Sequence, residues 1–223
     1  MRVDDLHIRV NNILGPVVAV GKTKELECVV KFVYTGTTIP NPRSQRPFRI
    51  NQLSRNGKRN KLLIKKILRD LKKDRFVLVI VERIFHLKFL KKMMMDSGYS
   101  IGLFYGKTSN RKKFLKRARE RKFDVIFCQR SLMKQGINIP PADTIHLTVP
   151  MSNPYSCYQE ISRIRTPWRG KKKPKIVDYV DDVGACYYAK ESRLKVYEEN
   201  GFKIIDSQPK KPEKKGSWGY GLD

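Results

Sequence analysis

The side chains that could do chemistry are concentrated in five short stretches, most of them directly after an apolar run. The stretches read ERIFH, YGKTSNR, QRSLMKQGINIP, PMSNP and QEISRIRTPWR. Arginine, lysine, serine and glutamine recur in them, and these side chains donate hydrogen bonds to oxyanions. A positioned arginine in particular stabilises the negative charge that builds up when a phosphoryl group is transferred. No Ser/His/Asp or Cys/His catalytic set is present, because the three histidines are scattered through the sequence.

The charge of the chain points to the class of partner. Lysine and arginine number 48 against 21 aspartate and glutamate residues, which gives a formal net charge of +27. This excess would attract a polyanion, and nucleic acid is the commonest one. The same positive charge would also attract an anionic membrane surface. However, no stretch has the length and apolar content of a membrane span. We therefore expect a nucleic-acid partner and no membrane.

The cysteines and the N-terminus indicate a compartment. The four cysteines are far apart and show no paired spacing, so we expect neither a zinc site nor a disulfide framework, and no metal ligands of this type. Buried free thiols are typical of a reducing compartment. Met1 is not followed by an apolar segment of the kind that directs export. These features predict a cytoplasmic protein, inside a host cell if the source is a virus.

Helices and strands must position these stretches. The spacing of apolar residues beyond residue 59 predicts where those helices and strands lie. Strands are predicted over 76–81, 100–104, 123–128, 144–149, 175–180 and 202–205. Helices are predicted over 61–71, 86–96, 110–122, 154–165 and 184–199, with Ser109 capping the third. This alternation predicts an α/β fold with a mainly parallel sheet. Ligands of such sheets meet the loops at the carboxyl ends of strands, here the loops after 81, 104, 128, 149 and 180.

The ends of the chain differ from this middle part. The first fifty or so residues hold strand-like runs at 17–20 and 28–34, followed by a proline-rich loop with Pro40, Pro42 and Pro47. The last residues are rich in lysine and proline, a composition typical of disorder. We predict an N-terminal connector or appendage over 1–57, a compact domain over 58–207 and a basic flexible tail over 208–223.

Three stretches in series resemble the second RecA-like domain of superfamily 2 helicases, especially the branch common in phages and large DNA viruses. VLVIVERIFHLKFL is similar to motif IV, DVIFCQRSLMKQGINIPPADTIHL to motif V, and SCYQEISRIRTPWRGKKKPKIVDYVD to motif VI with its following strand. Each stretch alone is also typical of an ordinary α/β protein or a solvated helix end. The resemblance runs in order over about residues 11–205, and it implies a RecA-like sheet with helices on both faces.

The resemblance implies an ATP site shared between two domains. In the family, motif VI follows Q-x-x-G-R-x-x-R, and its arginines reach across the cleft to the γ-phosphate. Gln159 and Arg163 match this pattern, whereas Ser162 replaces the glycine and Thr166 replaces the second arginine. Arg163 is therefore the implied arginine finger. Arg165 or Arg169 is a candidate substitute for the missing arginine, although neither has the matching spacing.

The motif V resemblance assigns residues to the nucleotide and to the nucleic acid. Gly136 matches the invariant turn, and Asn138 stands where the family has an aspartate that contacts the ribose. An amide can still hydrogen-bond a hydroxyl. The nucleic-acid contacts implied by motifs IV and V and by the loop between them fall on Arg83, Gly106, Lys107, Arg111, Arg130 and Ser131.

Three basic stretches extend the expected contact surface, over 55–75, 107–122 and 163–175. A solvated helix face usually mixes both signs of charge. The stretch 107–122 instead holds nine lysine or arginine residues and a single acid, Glu120. One dominant sign favours a surface that faces phosphates.

The other half of a helicase has no counterpart in this sequence. There is no G-x-x-x-x-G-K-[ST] phosphate loop and no D-E-x-[DH] magnesium box. We expect the chain to bind ATP and Mg²⁺ only jointly with a separate first RecA-like domain, and not to hydrolyse ATP alone. DNA is the expected nucleic acid. Two alternatives stay open: a non-catalytic nucleic-acid-binding module that has lost the ATP cycle, which the Thr166 and Asn138 departures favour, and a scaffold that recruits machinery to DNA.

Overall fold

The structure, a computed structural model, describes residues 25–133 and 137–207. The strand expected at 17–20, the tail from 208 and the turn residue Gly136 lie outside the described residues.

The described residues form seven strands and seven α-helices. The strands are β1 (Val29–Tyr34), β2 (Val77–Val81), β3 (Ile101–Phe104), β4 (Val125–Gln129), β5 (Thr144–Leu147), β6 (Lys175–Val180) and β7 (Lys203–Ile205). The helices are α1 (Arg46–Arg55), α2 (Gly57–Leu71), α3 (Ile84–Met93), α4 (Arg111–Arg119), α5 (Arg130–Met133), α6 (Pro154–Ile161) and α7 (Gly184–Glu199). Short 3₁₀ turns follow α3 at Met95–Ser97 and α6 at Ser162–Arg165.

All seven strands belong to one sheet in the order β3-β4-β2-β5-β6-β1-β7. Every neighbouring pair is parallel. The carboxyl ends of the strands therefore lie at one edge of the sheet, which we call the carboxyl edge, and their starts lie at the opposite, amino edge. This confirms the α/β prediction and the RecA-like sheet.

Helices cover both faces of the sheet, because successive side chains of each strand point to opposite sides. On one face, Leu63 and Ile67 of α2 and Leu87 of α3 pack against alternate strand residues such as Val79 and Phe127. On the other face, α4 to α7 cover Leu78, Ile126 and Ile176. Burial on both sides explains why β2 is a continuous apolar run.

Four local expectations are corrected. The run 28–34, expected in a connector, is a strand inside the sheet between β6 and β7. The proline-rich loop runs into a helix, α1, with Pro47 in its first turn, where the missing N–H costs nothing. Asn110 rather than Ser109 caps α4, because its side chain accepts from the backbone N–H of Lys113. The helix expected over 154–165 narrows to a 3₁₀ turn after Ile161.

A buried ion pair joins four elements at the carboxyl edge. Arg59 of α2 donates from Nε to Asp181 Oδ1 at 2.6 Å and from Nη2 to Oδ2 at 3.0 Å. The same Nη2 donates to the carbonyl of Thr148 after β5 at 2.6 Å, and Thr35 after β1 donates to Asp181 Oδ1 at 2.7 Å. Both charged side chains are 1% exposed, so their charges depend on these contacts.

A second buried pair fixes α7 on the sheet. Arg193 donates to both carboxylate oxygens of Asp178, at 2.7 and 2.9 Å, and to the carbonyl of Met151 at 2.9 Å. Tyr197 donates to the same carboxylate at 2.9 Å. Asp178 of β6 therefore accepts the hydrogen bonds that α7 donates to the sheet. Arg193 of α7 also binds the loop after β5.

The thiols and the helices bear on the expected compartment. All four cysteines are buried and free. Burial raises the pKa of Cys28, Cys157 and Cys186 to about 12, so these thiols stay protonated and weakly reactive. Among the helices of 25–133 and 137–207, none combines the length and apolar character needed to cross a membrane.

Removing Arg59 tests the importance of the ion pair that joins the four elements. Arg59→Ala leaves the Asp181 carboxylate buried without its main partner, so we expect the free energy of unfolding to fall by about 3–5 kcal/mol. Urea unfolding followed by circular dichroism measures the change. Lys61→Ala, an exposed position on the same helix, should change it by less than about 0.5 kcal/mol. Equal losses for both variants would contradict this role.

Candidate functional site

The candidate site lies at the carboxyl edge, where the loops after β3, β4 and β2 stand side by side. These strands are neighbours in the sheet although they are far apart in the sequence. The loops carry Gly106 and Lys107, Arg130 and Ser131, and Arg83 respectively. The fold therefore places at one edge most of the side chains expected to contact nucleic acid.

Arg163 connects the motif VI-like helix to the motif V-like loop. It lies in the 3₁₀ turn that extends α6 and is half-buried. Its Nη1 donates to the carbonyl of Ile137 at 3.3 Å, and its Nε donates to the carbonyl of Gln159 at 3.2 Å. Both contacts use carbonyl oxygens and no carboxylate, so the charge of the guanidinium is not neutralised by them. Gln159 itself is exposed.

Asn138 has a buried side-chain oxygen without a partner. Its Oδ1 is the one buried side-chain polar atom among the described residues that makes no hydrogen bond. Buried polar atoms are normally satisfied, and an exception calls for a ligand, a water or a function. Asn138 follows Ile137, the residue that accepts from Arg163. The unsatisfied oxygen therefore lies on the segment that Arg163 contacts.

Arg130 is held by an acid that the sequence analysis missed. Its Nε and Nη2 contact the Glu160 carboxylate at 3.1–3.2 Å, and Nη2 also reaches Ser156 at 3.4 Å. The side chain of Glu160 is 2% exposed. This pair locks the start of α5 against α6. Arg130 is thus engaged inside the protein, whereas its neighbour Ser131 is exposed.

Arg165 has different partners from Arg163, although both lie in the same 3₁₀ turn. Arg165 donates to the carbonyls of Leu26 and Asn200 at 3.1 and 3.2 Å, and it pairs with Glu25 at 2.8 Å. Leu26 precedes β1 and Asn200 precedes β7, so these contacts lie at the amino edge. The guanidinium also covers the ring of Phe202 at 4.7 Å. Arg165 therefore joins the ends of three elements at the amino edge.

The loop after β3 presents a cationic group to solvent. The backbone N–H of Gly106 donates to Gln129 Oε1 at 3.1 Å, which ties this loop to the end of β4. Arg111 donates to the carbonyl of Gly106 at 3.1 Å. Lys107 and Arg111 are both exposed. This arrangement orders the loop and leaves positive charge available for a phosphate.

The basic helix α4 is attached through aromatic packing. Phe114 stacks between Phe104 and Phe123, with ring centroids 4.9 Å apart on each side. Gly102 makes room for these rings, because a Cβ at this position would lie 3.0 Å from the Phe114 ring. The apolar contact fixes one side of α4, and the arginine and lysine side chains on its other side face solvent.

Arg83 orders the loop after β2. It donates to Asn51 Oδ1 at 2.8 Å and to the carbonyl of Pro47 at 3.2 Å, both on α1. The preceding residue, Glu82, accepts two hydrogen bonds of 2.6 Å from Arg46 on the same helix. The sequence analysis missed α1 and with it these partners. The contacts of Arg83 thus tie the loop after β2 to α1.

A metal site is not formed by the described residues alone. Within 25–133 and 137–207 there is no group of three or more histidine, cysteine, aspartate or glutamate side chains that could hold a metal ion. Gly136, the remaining nucleotide-contact candidate, lies outside these ranges.

A comparison with protein-family models matches the part of the chain that holds the motif IV-like and motif V-like loops. Residues 58–166 match the family model described as the helicase conserved C-terminal domain. The match includes β2 to β5, the motif IV-like and motif V-like loops and Arg163. A search of curated protein sequences found no match.

Several solved structures are similar in fold. The crystal structure of UvsW from phage T4 is 16% identical with a TM-score of 0.66, over 82% of this chain and 41% of that one. Dbp5 of S. cerevisiae bound to RNA and ADP BeF3 is 12% identical with a TM-score of 0.60, over 92% and 49%. The C-terminal domain of the DEAD-box protein Dbp5 is 12% identical with a TM-score of 0.58, over 82% and 92%. The chain thus spans less than half of UvsW, and the likeness establishes the RecA-like fold.

His86, beside the motif IV-like loop, generates a pH prediction. Its Nε2 lies 2.9 Å from Asn60 Oδ1. Burial, with Arg59 nearby, lowers the pKa of His86 to about 3. The unfolded chain binds this proton near pH 6.5, so the unfolded state holds more protons between the two values and stability falls as the pH is lowered. Between pH 6 and 4 His86 should contribute about 1.4 kcal/mol per pH unit to this loss.

The comparison with His86→Gln isolates this contribution. Urea unfolding at several pH values should give a slope that is shallower by about one proton for the variant. Identical slopes for both proteins would show that His86 titrates normally in the fold.

Proposed function

We propose that this chain is the second RecA-like domain of a superfamily 2 nucleic-acid helicase, acting with a separate first RecA-like domain that carries the phosphate loop. In this proposal the ATP site forms between the two domains. The chain contributes an arginine and a ribose contact on one side of the cleft and a cationic strand-binding surface at the carboxyl edge.

The observation that carries the proposal is the proximity of Arg163 and Asn138. The guanidinium touches the carbonyl of the residue before Asn138, and the Asn138 oxygen is buried without a partner. An amide oxygen accepts from a hydroxyl, so this atom fits a ribose hydroxyl. A guanidinium bound only to carbonyls can move to a phosphate without breaking an ion pair.

The chemistry assigned to Arg163 is electrostatic. Phosphoryl transfer spreads negative charge over the transferred group and the leaving oxygen, and an arginine placed there stabilises that charge. Gln159, exposed one helical turn before Arg163, would orient the same group. Arg165 is assigned a structural role in this proposal, because its contacts lie at the amino edge.

ATP and Mg²⁺ would be held jointly with the partner domain. The described residues offer no carboxylate cluster for a metal, so the proposal assigns the Mg²⁺ ligands and the phosphate loop to that domain. When bound, the ion would neutralise charge on the phosphates. Gly136, which adjoins the unsatisfied segment in sequence, is proposed as the turn that brings Asn138 to the nucleotide.

The nucleic-acid contacts would run along the carboxyl edge. Lys107, Arg111 and Ser131 are exposed there. Arg83 and Arg130 would act by ordering the loops, because their guanidinium groups are engaged within the protein. Contacts of this kind bind phosphates without reading sequence.

The type of nucleic acid is proposed as DNA, with RNA as the competing outcome. The similarity to phage T4 UvsW supports the phage-like branch from which DNA was expected. The Dbp5 structure, in contrast, contains RNA. Binding assays with matched DNA and RNA strands of one sequence decide between them.

The second candidate function is a nucleic-acid-binding module without an ATP cycle. Thr166 stands where the second arginine of the motif VI pattern belongs. Arg165, a candidate substitute, is engaged with Glu25 and with the carbonyls of Leu26 and Asn200. The two candidates differ in one measurable property, which is ATP turnover with a partner domain.

Substitution of Arg163 tests the helicase proposal. Mixed with a phosphate-loop domain from the same source, the wild-type chain should stimulate ATP hydrolysis in the presence of single-stranded nucleic acid. Arg163→Ala should lower kcat by about a thousandfold or more, because the developing charge loses its stabilising partner. Phosphate release measured at saturating ATP reports the change.

The control is Arg43→Ala, an exposed arginine outside the motif-like stretches. It removes the same charge and should keep turnover within about threefold of wild type. Absence of turnover with every partner domain, while nucleic-acid binding persists, would reject the helicase proposal and favour the binding module.

The strand-binding surface is tested by salt dependence. The double variant K107Q/R111Q removes two proposed phosphate contacts, so the slope of log affinity against log salt for single strands should become shallower by about 1.4. Fluorescence anisotropy at several salt concentrations measures it. K195Q/K203Q removes the same charge at exposed positions elsewhere and should change the slope far less. Equal effects would mean that net charge alone drives binding.

A further inference from the structure

A second concentration of cations lies at a distance from the candidate site, beside the amino-terminal half of the sheet. It is a cavity of about 200 Å³ between α2, β1 and β6. Its lining includes five cationic side chains and a single acid: Lys31, Lys66, Arg69, Lys73, Lys175 and Asp70. The ends of the basic stretches 55–75 and 163–175 of the sequence therefore meet here.

The cations are brought together by two regular patterns. Lys66, Arg69, Asp70 and Lys73 are spaced i, i+3, i+4 and i+7, which places them on one side of α2 and its last turn. From the sheet, Lys31 points to the same face as Val33, because alternate strand residues share a side. Lys31 is paired in register with Val177 of the neighbouring strand β6.

The single acid of the cavity is already neutralised. One oxygen of Asp70 accepts from Lys175, and the other lies 3.1 Å from His146 Nε2. His146 in turn contacts the Tyr179 hydroxyl at 2.8 Å, so its orientation is fixed. Burial alone would raise the pKa of Asp70, but the His146 and Lys175 hydrogen bonds outweigh it and hold the pKa at about 2. Asp70 therefore stays ionised and forms an ion pair with Lys175.

Four cations of the cavity pair with no acid among the described residues. Within the part of the chain that the structure describes, the side chains of Lys31, Lys66, Arg69 and Lys73 make no ion pair. Burial, followed by the charges of Arg69 and Lys31, lowers the pKa of Lys66. Like charges that crowd a concave surface repel one another, and a bound anion relieves this repulsion.

We propose that this cavity is a binding site for a phosphate-bearing anion, separate from the ATP cleft and the strand-binding edge. The cations come from three elements that the sheet and the Asp70–His146–Tyr179 contacts hold in place, so the site is preformed. The anion would bind by charge and by donors from lysine and arginine.

The lining restricts the ligand to phosphate groups. Apart from the charged residues it contains only Val33 and Val177, and no aromatic side chain on which a base could stack. A volume of about 200 Å³ admits a small cluster of phosphoryl groups. Two sources share this chemistry: a free di- or polyphosphate, and a backbone phosphate of a nucleic acid that extends around the domain.

Binding of inorganic tripolyphosphate to the full chain tests the proposal. Isothermal titration calorimetry of the wild type should give one site. The double variant K66Q/R69Q should weaken it at least tenfold, because two of the four unpaired cations are lost. K61Q/K65Q removes two exposed charges from the same helix outside the cavity and should weaken it less than threefold.

Nuclear magnetic resonance locates the bound anion. Tripolyphosphate should shift the backbone amide signals of Lys31 and Val177 in the wild type but not in K66Q/R69Q. Lys31→Gln, a change on the sheet side, should weaken binding as well, which guards against an effect confined to α2. Equal weakening by K66Q/R69Q and K61Q/K65Q, shifts spread over the whole surface, or no saturable binding would overturn the proposal.

The source of the anion follows from a second titration with a single-stranded oligonucleotide. If K66Q/R69Q weakens the oligonucleotide too, the site binds backbone phosphate; if only tripolyphosphate binding is lost, it binds free polyphosphate, and both results support the site. K66Q/R69Q should keep the Arg163-dependent ATP turnover with a partner domain. Failure of the cavity and failure of the helicase proposal are therefore observed separately.

Discussion

The Arg59–Asp181 ion pair is the interaction on which the geometry of the carboxyl edge depends. Taking a guanidinium and a carboxylate out of water costs several kcal/mol, and the cost is offset only when every donor and acceptor finds a partner. Here Thr148 and Thr35 complete the set, so the pair joins α2 to the ends of β5, β6 and β1. Thr148 also donates its hydroxyl to the carbonyl of Ile80 in β2 at 2.7 Å. The pair therefore reaches the central strand, whose following loop carries Arg83.

The parallel arrangement of the strands then determines which residues lie at the same edge of the sheet. Because all strands point the same way, residues that follow strands meet at one edge, and residues that precede them meet at the other. Arg163 and Arg165 both contact residues that precede strands: Ile137 precedes β5, whereas Leu26 and Asn200 precede β1 and β7. The same rule sends the ends of the basic stretches 55–75 and 163–175, which precede β2 and β6, to the amino side.

Much of the fold was predictable because its elements are locally encoded. The helix over 184–199 and the strand over 175–180 were predicted with the bounds that the structure has. Strand order was not, since no local pattern places Val29–Tyr34 between β6 and β7. For the site, the resemblance supplied Arg163 and Asn138, but spacing gave no sign that Glu160 would hold Arg130 from thirty positions away. Contacts between distant segments are set by packing, which the sequence pattern does not contain.

The distribution of acids explains how a chain of net charge +27 keeps both rigid and available cations. Where an arginine must hold elements together, a buried carboxylate fixes it, as Asp181 fixes Arg59, Asp178 fixes Arg193 and Glu160 fixes Arg130. Arg111 and Arg163, which are proposed to face a partner, donate to carbonyl oxygens instead. The chain has far fewer acidic than basic side chains, so only part of the cations can form ion pairs. The remaining cations lie at surfaces. An anion that binds there meets charge that no internal acid has already neutralised.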